Sequence, residues 1–452
     1  MGLGPIEQVL IHEESLPALP LLSVSFPCEI PKAEASVTMP DSSSLPVLIV
    51  GSGLSGLACA VTLHNAGIPV QVFEASDGVG GRVRTDRVEG FLLDRGFQVY
   101  LSAYPEAGKL LDLEALKLRA FEPGALVFEN SKLHRVMDVF RRPSAVMESA
   151  LAPVGTVMDK IRVAHLRFRS LGSSNAEINL RPDQETRLFL QKFGFSEGMI
   201  NGFFKAFYGG IFLERDLRTS SRMFEFTFKM FSQGSATLPA MGMGAIPLQL
   251  ANRLPPQTIR INTAVVSANP DTLVLPAGEE IRGSEVVIAT QASQTARLVP
   301  GFAAQEPTWR SVTNVYYSAN HSPLNEAIIA LNTKGEGLVN NVSVPSDVAP
   351  EYAPDGQSLI SVSLLGLHKN SGIPEIVKKE LHAWFGEQVD NWNHLRTDVI
   401  KHALPEQGPG KESQGYLKID GIHICGDHTS SASIEGAIIS GIKTANAIIS
   451  KR

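Results

Sequence analysis

The chain has 452 residues, 43% apolar and 19% charged, with a formal net charge of −6. That length exceeds one ordinary core and points to two domains, while the apolar content excludes a disordered chain. The acidic balance offers no basic surface for nucleic acid, and no uncharged apolar run reaches the ~18 residues that span a bilayer. Cys28, Cys59 and Cys425 lack ligand-like spacing, so neither a metal site nor a disulfide framework is expected.

Residues 1–44 carry acids at Glu7, Glu13, Glu14, Glu29, Glu34 and Asp41 against a single lysine. Prolines break apolar stretches such as Leu16–Phe26, which argues against a signal-peptide core. A transit peptide would be richer in arginine and poorer in acids. The segment reads as a flexible extension.

The first strong motif follows. Val47–Val50 is an apolar run, then come Gly51, Gly53 and Gly56, a helical stretch, and a second apolar run ending at Glu74. Gly51 suits a tight turn, Gly53 a close approach of backbone to a pyrophosphate, and Gly56 close packing of helix on strand. The helix N-terminus would present free N–H groups to phosphates, and Glu74 would accept the hydroxyls of an adenosine ribose. This is a dinucleotide grip.

Beyond Thr85, Gly90 and the Asp94-Arg95-Gly96 turn punctuate two short extended pieces. Residues 103–169 mix helical periodicity with proline breaks. Their last part, Val154–Arg169, is basic and amphipathic, and suits either a helix packed on its own domain or one lying on an anionic membrane. Residues 170–184 read as a polar loop. Eleven of the 21 phenylalanines then fall between Phe189 and Phe231. So dense a set serves as core, as the wall of a pocket for a bulky apolar substrate, or as both.

From Leu238 a Gly-punctuated turn leads into a helix. Short strands are expected around 259–268 and 272–281, and a buried one over SEVVIAT, Ser284–Thr290. Residues 311–318, 326–332 and 357–366 read as strands of a second sheet, and Ile376–Phe385 as a helix. The end of the chain is a strand at Ile422–Cys425, then Gly426-Asp427, then a helix starting at Ser433–Gly436. A second helix N-terminus aimed at the cofactor suits a flavin, whose reduction places negative charge at one ring edge.

These pieces together resemble the flavin-containing amine oxidase superfamily, and within it the phytoene desaturase, carotene isomerase and protoporphyrinogen oxidase branch. The resemblance rests on GSGLSG with Glu74, GVGGRVRT at Gly78–Thr85, FLLDRGFQ, MGMGAI, SEVVIAT and CGDHTSSASIEGAIISG, in that order over residues 47–441. It implies an α/β fold, a Rossmann-like FAD-binding domain with an inserted mixed-sheet and helical substrate domain. The FAD domain would take 45–110, 235–300 and 405–452, and the substrate domain 111–234 and 301–404.

By the same resemblance, Gly51, Gly53, Leu54, Ser55 and Gly56 would hold the pyrophosphate of FAD, with Glu74 and Ala75 at the adenosine ribose. Arg82, after Gly80 and Gly81, would reach the phosphates, and Val265 would pair its backbone with adenine. Gly426 and Asp427 would approach the pyrophosphate and ribityl chain. Glu435, Gly436 and Ala437 would sit at the flavin N1/O2 edge, and Arg95, Gly96 and Phe97 beside the ring. No counterpart of the amine-oxidase lysine near N5 is evident, and His428 follows Gly426-Asp427 where desaturase relatives often carry tyrosine. His428 and Arg95 are the candidates for polar chemistry at the ring.

The expected function is FAD-dependent oxidation, desaturation or isomerisation of a hydrophobic substrate, isoprenoid or tetrapyrrole-like, with oxygen or a quinone reoxidising the flavin. Amine oxidation on the same scaffold is one alternative, and a non-catalytic FAD-binding interaction protein another. Peripheral membrane association is among the expected contacts. Branch relatives work at plastid or bacterial membranes, so the compartment implied is a plastid, with the cytoplasm as the alternative.

Overall fold

The computed structural model describes residues 45–452 apart from Glu412. The extension over 1–44, Cys28 included, lies outside the described residues. Val47–Val50 is a fully buried strand because all four side chains are apolar and both faces are covered. It sits inside a six-stranded sheet of order Ile259–Arg260, Val70–Phe73, Val47–Val50, Glu285–Ile288, Ile422–Ile424, Leu417–Ile419. All pairs are parallel except the last. The chain crosses from Val50 through the Leu54–Asn65 helix to Val70–Phe73 on one side, while Glu285–Ile288 takes the other. Strand order therefore reverses at Gly51, the crevice where sheets of this kind bind ligands.

The Leu54–Asn65 helix is buried along most of its length. It packs against the last helix, Ile434–Ile449, so closely that a Cβ on Gly441 would fall onto the Ser55 carbonyl oxygen. Gly56 faces the same constraint from the Gly51 carbonyl. These two helices, one near each end of the described residues, are joined by backbone-to-backbone contact.

A seven-stranded sheet runs Asn393–Pro405, Trp309–Ala319, Ser358–Leu365, Val339–Ser343, Ile329–Asn332, Gly124–Glu129, Lys132–Met137. Its pairs are antiparallel except that joining Ile329–Asn332 to Gly124–Glu129. One face buries Val315, Tyr317, Val342, Ile360 and Val362 against Val377 and Leu381 of the Ile373–Phe385 helix. A small third sheet pairs Tyr100–Leu101 and Leu118–Ala120 with Ala236–Pro239.

Two local readings of the sequence change. The stretch 103–169, expected as broken helix, contains the hairpin Gly124–Glu129/Lys132–Met137. Asn130 and Ser131 both take positive φ, 50° and 59°, the two-residue turn whose twist matches paired strands. The expected loop at 170–184 contains a helix at Asn175–Leu180, started by a capping box between Ser174 and Glu177.

Asp94 ties three distant segments together. Its buried carboxylate accepts from Thr85 Oγ1 (2.5 Å), Met243 N (3.0 Å) and Tyr352 Oη (2.8 Å), and Tyr316 donates to its carbonyl at 2.7 Å. Burial, outweighing those hydrogen bonds, pushes its pKa up to about 6. A folded-state value above the unfolded one means that the folded protein holds this proton more tightly. The resulting stabilisation is full below about pH 4 and is lost as pH rises through about 6, a term on the order of 2–3 kcal/mol. Asp94→Asn is expected to flatten the fall in Tm between pH 4 and 7 relative to the parent. Parallel Tm profiles would remove Asp94 as the titrating group.

Candidate cofactor and substrate site

One continuous cavity of about 1490 Å³ opens at the carboxyl ends of the parallel strands. Single-ligand pockets usually measure about 300–1,000 Å³, so this volume admits a cofactor and a substrate together. Its walls include Gly51, Gly53, Leu54, Ser55, Glu74, Ala75, Gly80, Gly81, Arg82, Arg95, Gly96, Phe97, Val265, Gly426, Asp427 and Ala437. Segments separated by most of the chain thus meet on one surface.

The glycine-lined end is built from backbone. Gly51 has φ 101°, a conformation that favours glycine, and Gly53 begins the Leu54–Asn65 helix without any side-chain cap. The first N–H groups of that helix have no intrahelical partner and carry the positive end of its dipole. A Cβ on Gly53 would meet nothing within 4 Å, so the space beside it belongs to the cavity. Gly80 N donates to Ser52 O at 2.9 Å, which lays the Gly80-Gly81 turn along the same loop. These features fit an anionic pyrophosphate.

Glu74 is held more tightly than its place in the sequence implies. Oε2 accepts from Ser52 N and Oγ, both at 2.8 Å, and Oε1 from Ser76 N at 2.9 Å and Oγ at 2.7 Å. Burial raises its pKa, but these bonds outweigh that and hold the carboxyl below its usual value. All of its ordinary acceptor positions are thereby used, so a ribose hydroxyl reaches Glu74 by displacing one of the two serine hydroxyls.

Arg82 and Asp427, 345 residues apart, form an ion pair at 2.6 Å. The guanidinium also donates to Ala403 O at 3.0 Å and lies over the Trp309 ring at 5.5 Å. Arg95 lines the cavity with its charge matched by Asp86 through two bonds of 3.1 Å. Asp86 also pairs with Arg396 at 2.8 Å.

Four residues singled out from the sequence stand back from the cavity wall. Gly56 packs helix on strand, as its spacing implied. Glu435 is fully buried and points to another helix: its two oxygens accept from Glu106 N and Ala107 N, each at 2.9 Å, at the start of Pro105–Leu110. Its neighbour Gly436 is pressed against the Ser431 carbonyl. His428 lies edge-on to Phe302 at 5.5 Å, its side chain almost wholly buried. Burial, opposed by Asp427 and helped by Arg82, lowers its pKa to about 4, so the ring is neutral at ordinary pH.

The other end of the cavity is apolar. Phe203, Phe204, Phe207, Phe228 and Phe231 line it with Met199, Met223 and Ile211. The phenylalanine-rich segment divides between two tasks: Phe189, Phe195 and Phe224 are core, and others form the chamber. A π-helical turn at Ile200–Phe204 continues into the Lys205–Phe212 helix, and the rings of Phe203 and Phe207 stack at 5.6 Å. The strand Asn393–Pro405, from which sequence reading drew no site residue, contributes Ile400 and His402 to the wall. Ser52 and Ser76 were also missed, although each lies one or two residues from a residue already singled out.

Residues 54–449 match the family described as flavin containing amine oxidoreductase, and the chain belongs to it. FAD is accordingly its cofactor. The chain is 46% identical over 66 residues to protoporphyrinogen oxidase 2, chloroplastic/mitochondrial, of Arabidopsis thaliana, a match covering 15% of this chain and 13% of that protein. Its fold is similar to that of an oxidoreductase from Methanosarcina mazei (TM-score 0.71, 16% identity, 88% of this chain and 99% of that one). It is equally similar to a redesigned putrescine oxidase (TM-score 0.71, 17% identity, 90% and 99%).

Gly53→Ala separates cofactor binding from folding. The added methyl meets no protein atom within 4 Å but enters the space beside the phosphate loop. The variant is expected to keep the parent's far-ultraviolet circular dichroism while losing most of its bound FAD, read at 450 nm after gel filtration. Full FAD occupancy would show that no phosphate lies against Gly53.

Proposed function

We propose that this chain is an FAD-dependent oxidoreductase acting on a hydrophobic substrate of isoprenoid or tetrapyrrole type. The observation that carries the reading is the single cavity whose one end is a glycine-lined phosphate cradle and whose other end is a chamber of aromatic and methionine side chains. FAD, when bound, supplies a hydride acceptor at N5 that oxygen or a quinone reoxidises. The chain's own part is to orient an apolar body, exclude water from it and balance charge around the cofactor. Residues 45–110, 235–300 and 405–452 would form the FAD domain, and 111–234 with 301–404 the substrate domain.

Amine oxidation is the second reading, favoured by the putrescine oxidase likeness in fold. The acids lining the chamber do not support it: Glu122 pairs with Arg142 at 2.6 Å and Asp138 with Arg167 at 2.7 Å. An ammonium entering there competes with arginine for each carboxylate. The test is anaerobic incubation of the FAD-loaded protein with separate panels of amines, carotenoid precursors and porphyrinogens. Bleaching at 450 nm is expected only with the apolar panels, and rapid bleaching by a small amine would overturn the reading.

The substrate would arrive from a lipid surface. The Val157–Leu171 helix exposes Val157 (73%), Ile161 (56%) and Phe168 (64%), and Phe140 meets Phe168 edge-on at 5.8 Å. Lys160, Arg162 and Arg169 share that helix, and its Val163 and Arg167 line the cavity. An apolar stripe with basic flanks suits an anionic bilayer, and a bilayer docked on it would lie beside the chamber. The double variant Val157→Asp, Ile161→Asp is expected to lower co-sedimentation with phosphatidylglycerol vesicles at least tenfold, from about 1.5–3 kcal/mol per buried aliphatic side chain. Unchanged sedimentation would exclude this helix as the docking face.

A further inference from the structure

A polar feature interrupts the apolar chamber. Asn340 and Asn341 are adjacent on the strand Val339–Ser343, where alternation would send them to opposite faces. The register against Ser358–Leu365 shifts between Val339 and Asn341, and this irregularity lets both amides reach the cavity wall. Leu331 stands directly opposite Asn341 on the next strand, and Leu331 and Ile329 pack with Phe203 and Phe207.

The pair is ordered but incompletely satisfied. Asn340 Nδ2 donates to Asn341 Oδ1 at 3.0 Å and weakly to Ala206 O at 3.4 Å. Those bonds orient both amides and leave Asn341 Nδ2, on a side chain from a residue only 3% exposed, with no hydrogen-bond partner among the described residues. Above the pair sits Gly210 of the Lys205–Phe212 helix. A Cβ there would lie 2.8 Å from Asn340 Nδ2 and 3.3 Å from Asn341 Oδ1. The glycine lets the helix pass the pair without displacing either amide.

An unpaired buried N–H costs free energy unless a ligand supplies an acceptor. We propose that the Asn340–Asn341 pair anchors the substrate by donating a hydrogen bond to one neutral oxygen, a carbonyl or ether, on an otherwise apolar molecule. A donor of this kind repels an ammonium group and is wasted on a pure hydrocarbon. The proposal rests on the reading of the chamber as an apolar substrate site and narrows its substrate class to oxygen-bearing ones.

The test titrates FAD-loaded protein with farnesylacetone and with its isostere carrying =CH2 in place of the carbonyl oxygen, following the flavin absorption spectrum. The ketone is expected to bind roughly three- to tenfold more tightly. That preference should vanish in Asn341→Leu and shrink in Gly210→Ala, which keeps both asparagine side chains but whose Cβ, 2.8 Å from Asn340 Nδ2, displaces the amide that orients Asn341. Bound FAD in each variant reports that the fold persists. Equal affinity of the parent for the two probes, or a preference that survives both substitutions, overturns the anchor while leaving an apolar chamber standing. If neither probe perturbs the flavin, the apolar-substrate reading falls and the anchor with it.

Discussion

The closeness of backbone to backbone at the first glycine loop is the constraint on which the site depends. Gly56 lies against the Gly51 carbonyl and Gly441 against that of Ser55, so the first helix is clasped between its own strand and the last helix. Any larger side chain at either point would move a helix by a fraction of its diameter. Moving it would spoil the phosphate loop at Gly53 and separate Asp427 from Arg82, because both ends of the cavity floor hang from this contact. The strand Ile422–Ile424, which precedes the last helix, is held beside Glu285–Ile288 by parallel strand pairing.

Buried carboxylates do the long-range fastening around that contact. Asp94 gathers Thr85, Met243 and Tyr352, and Glu435 caps the backbone of Glu106 and Ala107. Both are buried at a cost in desolvation, which is why each pKa lies above the usual carboxylate range. Each returns that cost only when every hydrogen bond is in place, so they favour one arrangement of distant segments over slipped ones. Glu435 explains why a conspicuous acid beside the cavity belongs to the scaffold.

The two ends of the cavity obey different physics. At the glycine end the important groups are backbone N–H donors and paired charges, and little side-chain bulk is tolerated. At the aromatic end bulk is the function, with stacked rings such as Phe203 and Phe207 giving a stiff wall. The ion pairs Arg167–Asp138 and Arg142–Glu122 keep charge matched where the chamber nears its basic helix. Such a cavity offers an anionic cofactor and an apolar molecule separate surroundings side by side.

Much of this was legible in the residues. The glycine spacing, the run into Glu74, the strands at Glu285–Ile288 and Ile422–Ile424 and the last helix follow from local pattern, because periodicity and glycine placement are local properties. The hairpin around Asn130-Ser131 and the capping box at Ser174 carried local signals as well, but these lay within stretches whose periodicity pointed elsewhere. His428 was different: adjacency to Gly426-Asp427 suggested a place at the ring, yet a side chain's direction depends on what packs around it, here Phe302. The chain by itself determined its class of fold and its cofactor and pointed to a glycine loop for the phosphates, since those rest on backbone shape written in glycines. Tertiary structure alone decided the partner of Arg82, the task of Glu435 and the exposure of two neighbouring asparagines to one cavity, since each joins segments whose meeting no local interaction specifies.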